Sequence, residues 1–220
     1  DYLKKDEETA TGHAIIQVSH SENCIILYGG ANQLIDEAQI DEVLTHFEQG
    51  DLLLIQNEIS SLTYLITKAH EKGLRIAFNT APMDEKIFGY PLDLIDIFVV
   101  NEVEGKGLAN VSSNRVEDVI AGLQKAYPNK EIILTVGSLG SYYIYGETVI
   151  HQEAYRVEAV DTTAAGDTFT GFYLASILRG EKVNNALRIA AKASSITVTK
   201  EGAAKSIPTL EQVLESMKNV

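Results

Sequence analysis

The stretch AVDTTAAGDTFTGFYLASIL, residues 159–178, leads from a strand-like segment through small residues into an amphipathic helix. A helix N-terminus exposes unpaired backbone N–H groups and the positive end of the helix dipole, so it attracts anions. Residues 164–166 are small enough for a phosphate to approach this backbone closely. Asp167 falls in the first turn of the predicted helix, where a carboxylate could also be a simple N-cap.

A second carboxylate in the same loop favours a chemical role over simple capping. Asp161 opens the loop, and the Ala-Ala-Gly run follows before Asp167. An N-cap requires neither feature, whereas an anion pocket with a general base beside it requires both small residues and a carboxylate. The loop therefore predicts an anion pocket with a general base.

Strand and helix patterns alternate along most of the chain. Strands are predicted at residues 13–18, 23–28, 52–56, 74–79, 95–101, 131–136, 142–145, 148–151 and 155–159. Helices are predicted at residues 35–47, 60–72, 114–126, 167–179, 183–199 and 209–217. Ser60 and Ser61 are candidate N-caps and Gly73 a stop signal for the second helix. This alternation predicts an α/β fold with a largely parallel sheet, helices on both faces and an antiparallel edge.

In such sheets the ligand lies beyond the carboxyl ends of the strands. That rule selects the segments that follow the predicted strands. These are residues 56–58, 79–82, 101–104, 137–140 and 161–167.

Composition limits the classes of partner. The 220 residues are 45% hydrophobic, which suits one domain over residues 1–220. The net charge of −13 argues against a nucleic-acid partner but not against ATP, which backbone amides, a metal ion and a few cations can bind. No apolar run reaches the roughly 18 residues of a membrane span, so we expect a cytoplasmic protein with no membrane partner. The single Cys24 is interpreted as strand packing, and the five histidines as structural or exposed.

Residues 161–167 resemble the signature Asp-Thr-x-Gly/Ala-Ala-Gly-Asp of the ribokinase-like (pfkB) carbohydrate kinase family. The similarity extends across the chain, through GGAN at 29–32, FNTAP at 78–82, VVNEVE at 99–104, TVGSLG at 135–140 and KEGAAKSIP at 200–208. It implies a ribokinase-like fold with a mostly parallel central sheet and a small β lid that includes residues 10–30. Family members have a further N-terminal segment, so the chain is expected to match the C-terminal portion of that fold.

The resemblance implies a role for each matching residue in phosphoryl transfer from ATP. Asp167 would take the proton of the sugar's primary hydroxyl, and the amides of Ala164, Ala165, Gly166 and Asp167 would form the anion hole. Asn101 and Glu104 match an Asn-x-x-Glu associated with the phosphates and hydrated Mg²⁺. From the residues alone, Asn101 could equally be a strand-end turn residue and Glu104 a solvated helix residue. The remaining nucleotide contacts implied by the family are Thr135, Gly137, Ser138, Gly140 and Lys192, the last lying along the adenine.

Two further sites follow from the same resemblance. Glu58 would line the sugar site. A monovalent cation, usually K⁺, would lie beside the anion hole. The positions that match this cation site are Asp161, Thr163, Thr197, Lys200, Gly202 and Ser206, several of them through backbone carbonyls.

The resemblance implies ATP-dependent phosphorylation of a sugar and a homodimer formed through the β lid. FNTAP and the Ala-Ala form of the signature favour D-ribose, giving ribose 5-phosphate. Alternatives are fructokinase-, ketodeoxygluconate-, deoxyribose- or nucleoside-kinase-like activities, or a non-catalytic nucleotide- or sugar-binding protein on the same fold. The chain has neither the Gly-x4-Gly-Lys-Ser/Thr of P-loop enzymes nor the His-Arg-Asp of protein kinases.

Overall fold

The computed structural model describes residues 2–19 and 22–218, with side chains for all of these except residues 16–19 and 22–25. By its internal contacts the chain divides into two compact units, Asp1–Ile97 and Phe98–Val220. The single domain expected over residues 1–220 stays a prediction. The interpretations of the His20 and Cys24 side chains lie outside the described part of the chain.

The first unit begins with the predicted β-hairpin. Strand β1 (His13–Ser19) pairs antiparallel with β2 (Glu22–Tyr28), and His13 lies opposite Tyr28. The elements that follow are α1 (Glu37–Leu44), β3 (Leu52–Gln56), α2 (Leu62–Glu71) and β4 (Arg75–Asn79), with 3₁₀ turns at Gly30–Leu34, Glu85–Gly89 and Leu92–Leu94. Strands β3 and β4 pair in parallel across α2, which is the expected βαβ arrangement.

The second unit carries most of the predicted site. Strand β5 (Ile97–Asn101) begins at the boundary between the units. The later elements are α3 (Glu102–Ala109), α4 (Val116–Ala126), β6 (Glu131–Thr135), β7 (Ser141–Tyr145), β8 (Thr148–Gln152), α5 (Ala165–Leu178), α6 (Val183–Thr197) and α7 (Leu210–Lys218). Strands β6, β7 and β8 pair antiparallel, which confirms the predicted antiparallel edge.

Strands β3 to β8 form one six-stranded sheet in the order β3-β4-β5-β6-β7-β8, so the expected α/β class is confirmed. Its central strands are continuously apolar and buried, as expected for strands with helices on both faces. The fully buried runs are Ile76, Ala77 and Phe78 in β4, Phe98, Val99 and Val100 in β5, and Ile132, Ile133 and Leu134 in β6. The last helix, α7, packs Val213 against Ile189 and Ala193 of α6.

Three local predictions differ from the structure. Residues 155–159 do not form a strand, although they are aromatic and β-branched. Helix α3 was not predicted, because glycines interrupt its apolar pattern. Ser61 occupies the N-cap position of α2 without capping it, since the hydroxyls of Ser60 and Ser61 both donate to the carbonyl oxygen of Ile35.

Gly140 ends the turn between β6 and β7 in a conformation that only glycine adopts easily. Its φ is +101°, and a Cβ atom added there would lie 2.0 Å from the carbonyl oxygen of Gln152. The N–H of Val136 donates to the carbonyl oxygen of Gly140 at 2.8 Å, which closes the turn. Gly140 therefore has a structural reason to be glycine, independent of any ligand.

We expect Gly140→Ala to lower the free energy of unfolding by about 2 kcal/mol or more, since backbone strain and a clash with Gln152 combine. Gly50→Ala is the matched control. Gly50 has a similar φ of +92° but nothing within 4 Å of an added Cβ, so it should show only the strain, about 1 kcal/mol. Urea unfolding of both variants measures the difference, and equal losses would contradict the steric account of Gly140.

Candidate active site

Asp161 ties the predicted catalytic loop to the segment after α6. Its Oδ1 accepts the N–H of Thr163 at 2.9 Å, and its Oδ2 accepts the N–H of Gly202 at 3.0 Å. The N–H groups of Val160 and Asp161 both donate to the carbonyl oxygen of Val198, at 2.7 and 3.2 Å. Hydrogen bonds from the Thr163 hydroxyl, the Thr163 N–H and the Gly202 N–H hold the pKa of Asp161 below its usual value. The carboxylate therefore stays ionised at neutral pH and fixes the start of the loop.

The loop turns sharply into α5 at Ala164. Ala164 adopts the left-handed conformation, with φ +60°, which is uncommon for a residue with a Cβ. The N–H of Ala165 donates to the carbonyl oxygen of Thr162 at 3.2 Å, so this amide of the proposed anion hole already has a partner within the chain. The amides of Gly166 and Asp167 follow in the first turn of α5, where N–H groups lack intrahelical acceptors.

Helix α6 packs against the first turn of α5 and forms two hydrogen bonds to it. The Ser194 hydroxyl donates to the carbonyl oxygen of Ala165. Deeper in the same contact, the buried Thr197 hydroxyl donates to Thr168 Oγ1 at 3.2 Å. Nothing in the sequence analysis singles out Ser194 or Thr168, although the hydroxyl residues among the alanines of α6 are a pattern that could have indicated Ser194. These bonds fix the direction in which the amides of α5 point.

Asp167, the predicted general base, lies on the solvent-exposed side of this turn. Asp167 lies at the third position of α5 and is exposed. Gly166 beside it is also exposed, and a Cβ added there would meet no atom within 4 Å. A carboxylate thus lies next to exposed backbone at a helix N-terminus, an arrangement that can bind an anion and accept a proton from a neighbouring hydroxyl.

The structure brings together some of the predicted cation ligands. Asp161, Thr163 and Gly202 are joined by the two carboxylate hydrogen bonds, and Gly202 has φ +92°. Lys200 and Ser206 make local bonds instead: Lys200 N–H donates to the carbonyl oxygen of Thr197 at 3.1 Å, and the Ser206 hydroxyl donates to the carbonyl oxygen of Ala203 at 2.6 Å. Within residues 2–19 and 22–218, no three His, Cys, Asp or Glu side chains gather as a metal-binding group. A cation held here would therefore rely mainly on carbonyl and hydroxyl oxygens.

Asn101 and Glu104 form a capping box at the start of α3. Asn101 Oδ1 accepts the N–H of Glu104 at 2.9 Å, and Glu104 Oε2 accepts the N–H of Asn101 at 2.9 Å. The Asn101 side-chain amide also donates to Glu104 Oε1 at 2.8 Å. Glu104 is buried, with 7% of its surface exposed, so the solvated alternative considered from the sequence is wrong. The pair is therefore held in one arrangement by three reciprocal hydrogen bonds.

The predicted nucleotide turn lies between β6 and β7. Gly137–Leu139 forms one 3₁₀ turn, and Ser138 is exposed at its tip. Thr135 precedes the turn at the end of β6, and Gly140 closes it. Lys192 lies on α6 in the same unit, with its ammonium group 4.8 Å from the centre of the Tyr155 ring.

In the first unit, Glu58 follows β3, where the sequence places it, and its side chain is exposed. Its neighbour Asn57 has a network that the sequence did not indicate. The Asn57 side-chain amide donates to the carbonyl oxygen of Pro82 at 2.7 Å, and the Tyr90 hydroxyl donates to Asn57 Oδ1 at 2.9 Å. Burial and the nearby Asp84 raise the pKa of Tyr90, so this donor stays protonated. These hydrogen bonds hold Asn57 in place and thereby position the backbone of the adjacent Glu58.

The described histidines contribute no nucleophile or base to these groups. His13, His46, His70 and His151 are exposed, and His151 stacks on Tyr142 with ring centres 4.3 Å apart. In the part of the chain that the structure describes, no helix has the length and apolar character needed to cross a membrane.

Comparison with known proteins gives consistent results over nearly the whole chain. The family described as "pfkB family carbohydrate kinase" matches residues 1–210. The ribokinase of Schizosaccharomyces pombe is 37% identical, over 97% of this chain and 70% of that protein. The ribokinase of Staphylococcus aureus is 34% identical, over 96% of this chain and 71% of that protein.

Two solved structures extend this similarity to the fold. Arabidopsis thaliana ribokinase, solved with ribose and ATP, superimposes with a TM-score of 0.83 at 30% identity, over 96% of this chain and 70% of that one. Ribokinase of Cryptococcus neoformans var. grubii, solved with ADP, gives a TM-score of 0.86 at 29% identity, over 97% of this chain and 74% of that one. The chain thus spans about seven tenths of the length of these proteins.

We expect the contribution of Asp161 to stability to depend on pH. Because its pKa is lower in the folded protein, the contribution is present above the unfolded pKa near 3.8 and is lost as pH falls through the folded value. Asp161→Asn should therefore destabilise the protein at pH 7 more than at pH 3. Urea unfolding at the two pH values measures this, with Glu201→Gln as the control because it removes the same charge from an exposed neighbour. A pH-independent loss would contradict the assigned bonds.

Proposed function

Because the chain belongs to the pfkB family of carbohydrate kinases, we propose that it transfers the γ-phosphoryl group of ATP to the primary hydroxyl of D-ribose, giving ribose 5-phosphate and ADP. Relatives at 34% and 37% identity are named ribokinases, and a related structure contains ribose and ATP. The observation that carries the proposal is the start of α5, where Asp167 lies beside the open amide turn at Gly166.

In the proposed reaction Asp167 is the general base. Its carboxylate takes the proton of the sugar hydroxyl, whose oxygen forms a new bond to the γ-phosphorus. The bond from that phosphorus to the bridging oxygen breaks, and the electron pair leaves with ADP. The amides of Gly166 and Asp167 face the charge on the transferred group, with Ala164 and Ala165 shaping the turn. Such positioning and charge stabilisation provide most of the rate enhancement in phosphoryl transfer.

Two ions fit the residues present. Asn101 and Glu104 would hold hydrated Mg²⁺, which neutralises phosphate charge when bound, because their hydrogen bonds fix the carboxylate in place. K⁺ would lie at Asp161, Thr163, Thr197, Lys200, Gly202 and Ser206, with Asp161 as the charged ligand. The hydrogen bonds that join Asp161 to Thr163 and Gly202 support this assignment, because they bring three of the six positions together.

The remaining substrate contacts are assigned to three places. The turn containing Thr135, Gly137, Ser138 and Gly140 would bind the nucleotide together with Lys192. Glu58 would bind the sugar, on a backbone fixed by Asn57. The hairpin of β1 and β2 would act as part of the lid and pair with a second copy in a homodimer. Its exposed apolar side chains, including Ile15 and Leu27, support such pairing.

The choice of sugar is tested with a coupled ADP-release assay over D-ribose, 2-deoxyribose, fructose, 2-keto-3-deoxygluconate and a nucleoside. We expect D-ribose to give the highest kcat/KM. No stimulation of ADP release by ribose would contradict the substrate, and strong stimulation by another sugar would identify its replacement.

Asp167→Asn should lower kcat by about 10²–10⁴-fold while ADP binding stays near normal, because only proton removal is lost. Glu158→Gln removes an exposed carboxylate from the preceding segment and serves as the control. Single-turnover kinetics and calorimetric titration with ADP measure the two effects. Retention of more than about a hundredth of the activity would argue against the base.

Gly166→Ala tests the anion pocket. The added methyl group meets no protein atom, so the protein should fold and be as stable or slightly more stable, while the methyl occupies the space next to the amide. We expect kcat/KM to fall by about 10²-fold or more. Gly171→Ala, on the same helix and also without a neighbour within 4 Å, is the matched control and should keep full activity. Equal activity of the two variants would place the transferred group elsewhere.

A further inference from the structure

Tyr155 begins the segment 155–159, which was predicted to be a strand and is not one, and the proposed function assigns no role to this residue. In the structure it follows β8 in an irregular segment and is half-buried. The Lys192 ammonium group lies 4.8 Å from the centre of its ring, within the range of a cation–π contact. Since both side chains are half-buried, water competes less for this cation than for one on an open surface.

The segment that carries Tyr155 also packs on the nucleotide turn. A Cβ added at Gly140 would meet Gln152, Ala154 and Glu153, so residues 152–154 lie directly against the end of the turn. Helix α6, which carries Lys192, in turn contacts β7, which begins where that turn ends, and β8, which leads into residues 152–154. Tyr155 and Lys192 are therefore carried by elements that pack next to the nucleotide turn.

Lys192 has a long side chain with many rotamers, and its placement needs a partner. Holding it in one position costs conformational entropy, which an isolated lysine would have to lose each time a ligand binds. A ring that already holds the ammonium group in the free protein removes part of this cost. Because the ammonium is donor-only, it can offer hydrogen bonds to the acceptor nitrogens of a purine.

We propose that Tyr155 is a positioning residue for the phosphoryl donor: its ring holds the Lys192 ammonium against the nucleotide turn, and the pair together sets affinity for the purine nucleotide. This inference rests on the proposed function, in which Lys192 contacts the base. It assigns no part in proton removal or sugar binding to Tyr155, so its effect falls on the KM for ATP and leaves kcat and the KM for ribose unchanged.

The test uses Tyr155→Leu, Tyr155→Phe and Lys192→Met, with Tyr145→Leu as a control for loss of an exposed aromatic ring on β7. Tyr155→Leu and Lys192→Met should each raise the KM for ATP and the Kd for ADP by about threefold to tenfold. The double variant should be no worse than the worse single variant, because both remove one interaction. Tyr155→Phe keeps the ring face and should restore the wild-type values.

The outcomes separate this inference from the proposed function. Absence of ribose-dependent ADP release in the wild type would overturn the function itself. Normal activity with an unchanged KM for ATP in Tyr155→Leu, or additive effects in the double variant, would overturn the role of Tyr155 alone. If Tyr155→Leu does not fold by circular dichroism, Tyr155→Met replaces it, because it also removes the ring: a raised KM for ATP in Tyr155→Met with normal values in Tyr155→Phe supports the pair, and an unchanged KM in Tyr155→Met overturns it.

Discussion

The two hydrogen bonds that Asp161 accepts, from Thr163 and Gly202, determine where the proposed catalytic loop can lie. One carboxylate joins the loop before α5 to the segment after α6, and the hydroxyl bonds between α5 and α6 continue the same contact. Ala164 can then keep its left-handed conformation, because the surrounding bonds offset the strain. The direction of the first amides of α5, and therefore the proposed position of the anion, follows from this arrangement.

An acidic protein can bind an anionic substrate at a helix end without a basic surface. The chain has a net charge of −13, and its proposed anion site consists of backbone N–H groups at the start of α5. The carboxylates of Asp161 and Glu104, in the same unit, are each held by hydrogen bonds and would suit a cation that balances phosphate charge. In the proposed function, local dipoles and bound cations, rather than net charge, determine which ligand this edge of the sheet would accept.

The sequence predicted the parts of this arrangement that depend on local pattern. Buried strands such as β3 and β6, and the helix that starts near Asp167, have periodicity and glycine signals that act over a few residues. Residues 155–159 were mistaken for a strand because β propensity does not report whether a pairing partner is available. Ser194 bonds to Ala165, which lies 29 positions away, and Tyr90 bonds to Asn57, which lies 33 positions away. No local sequence pattern could show these long-range bonds.

The central claim is that the transferred phosphoryl group lies over the first turn of α5, next to Asp167. A crystal structure of the protein with ADP, aluminium fluoride, Mg²⁺ and ribose tests this most directly, since the fluoride complex imitates the phosphoryl group in transfer. We predict fluoride ligands within about 3 Å of the Gly166 and Asp167 amides and the ribose primary hydroxyl within hydrogen-bonding distance of the Asp167 carboxylate. Clear density for the fluoride complex away from α5, with Asp167 facing solvent, would contradict the account.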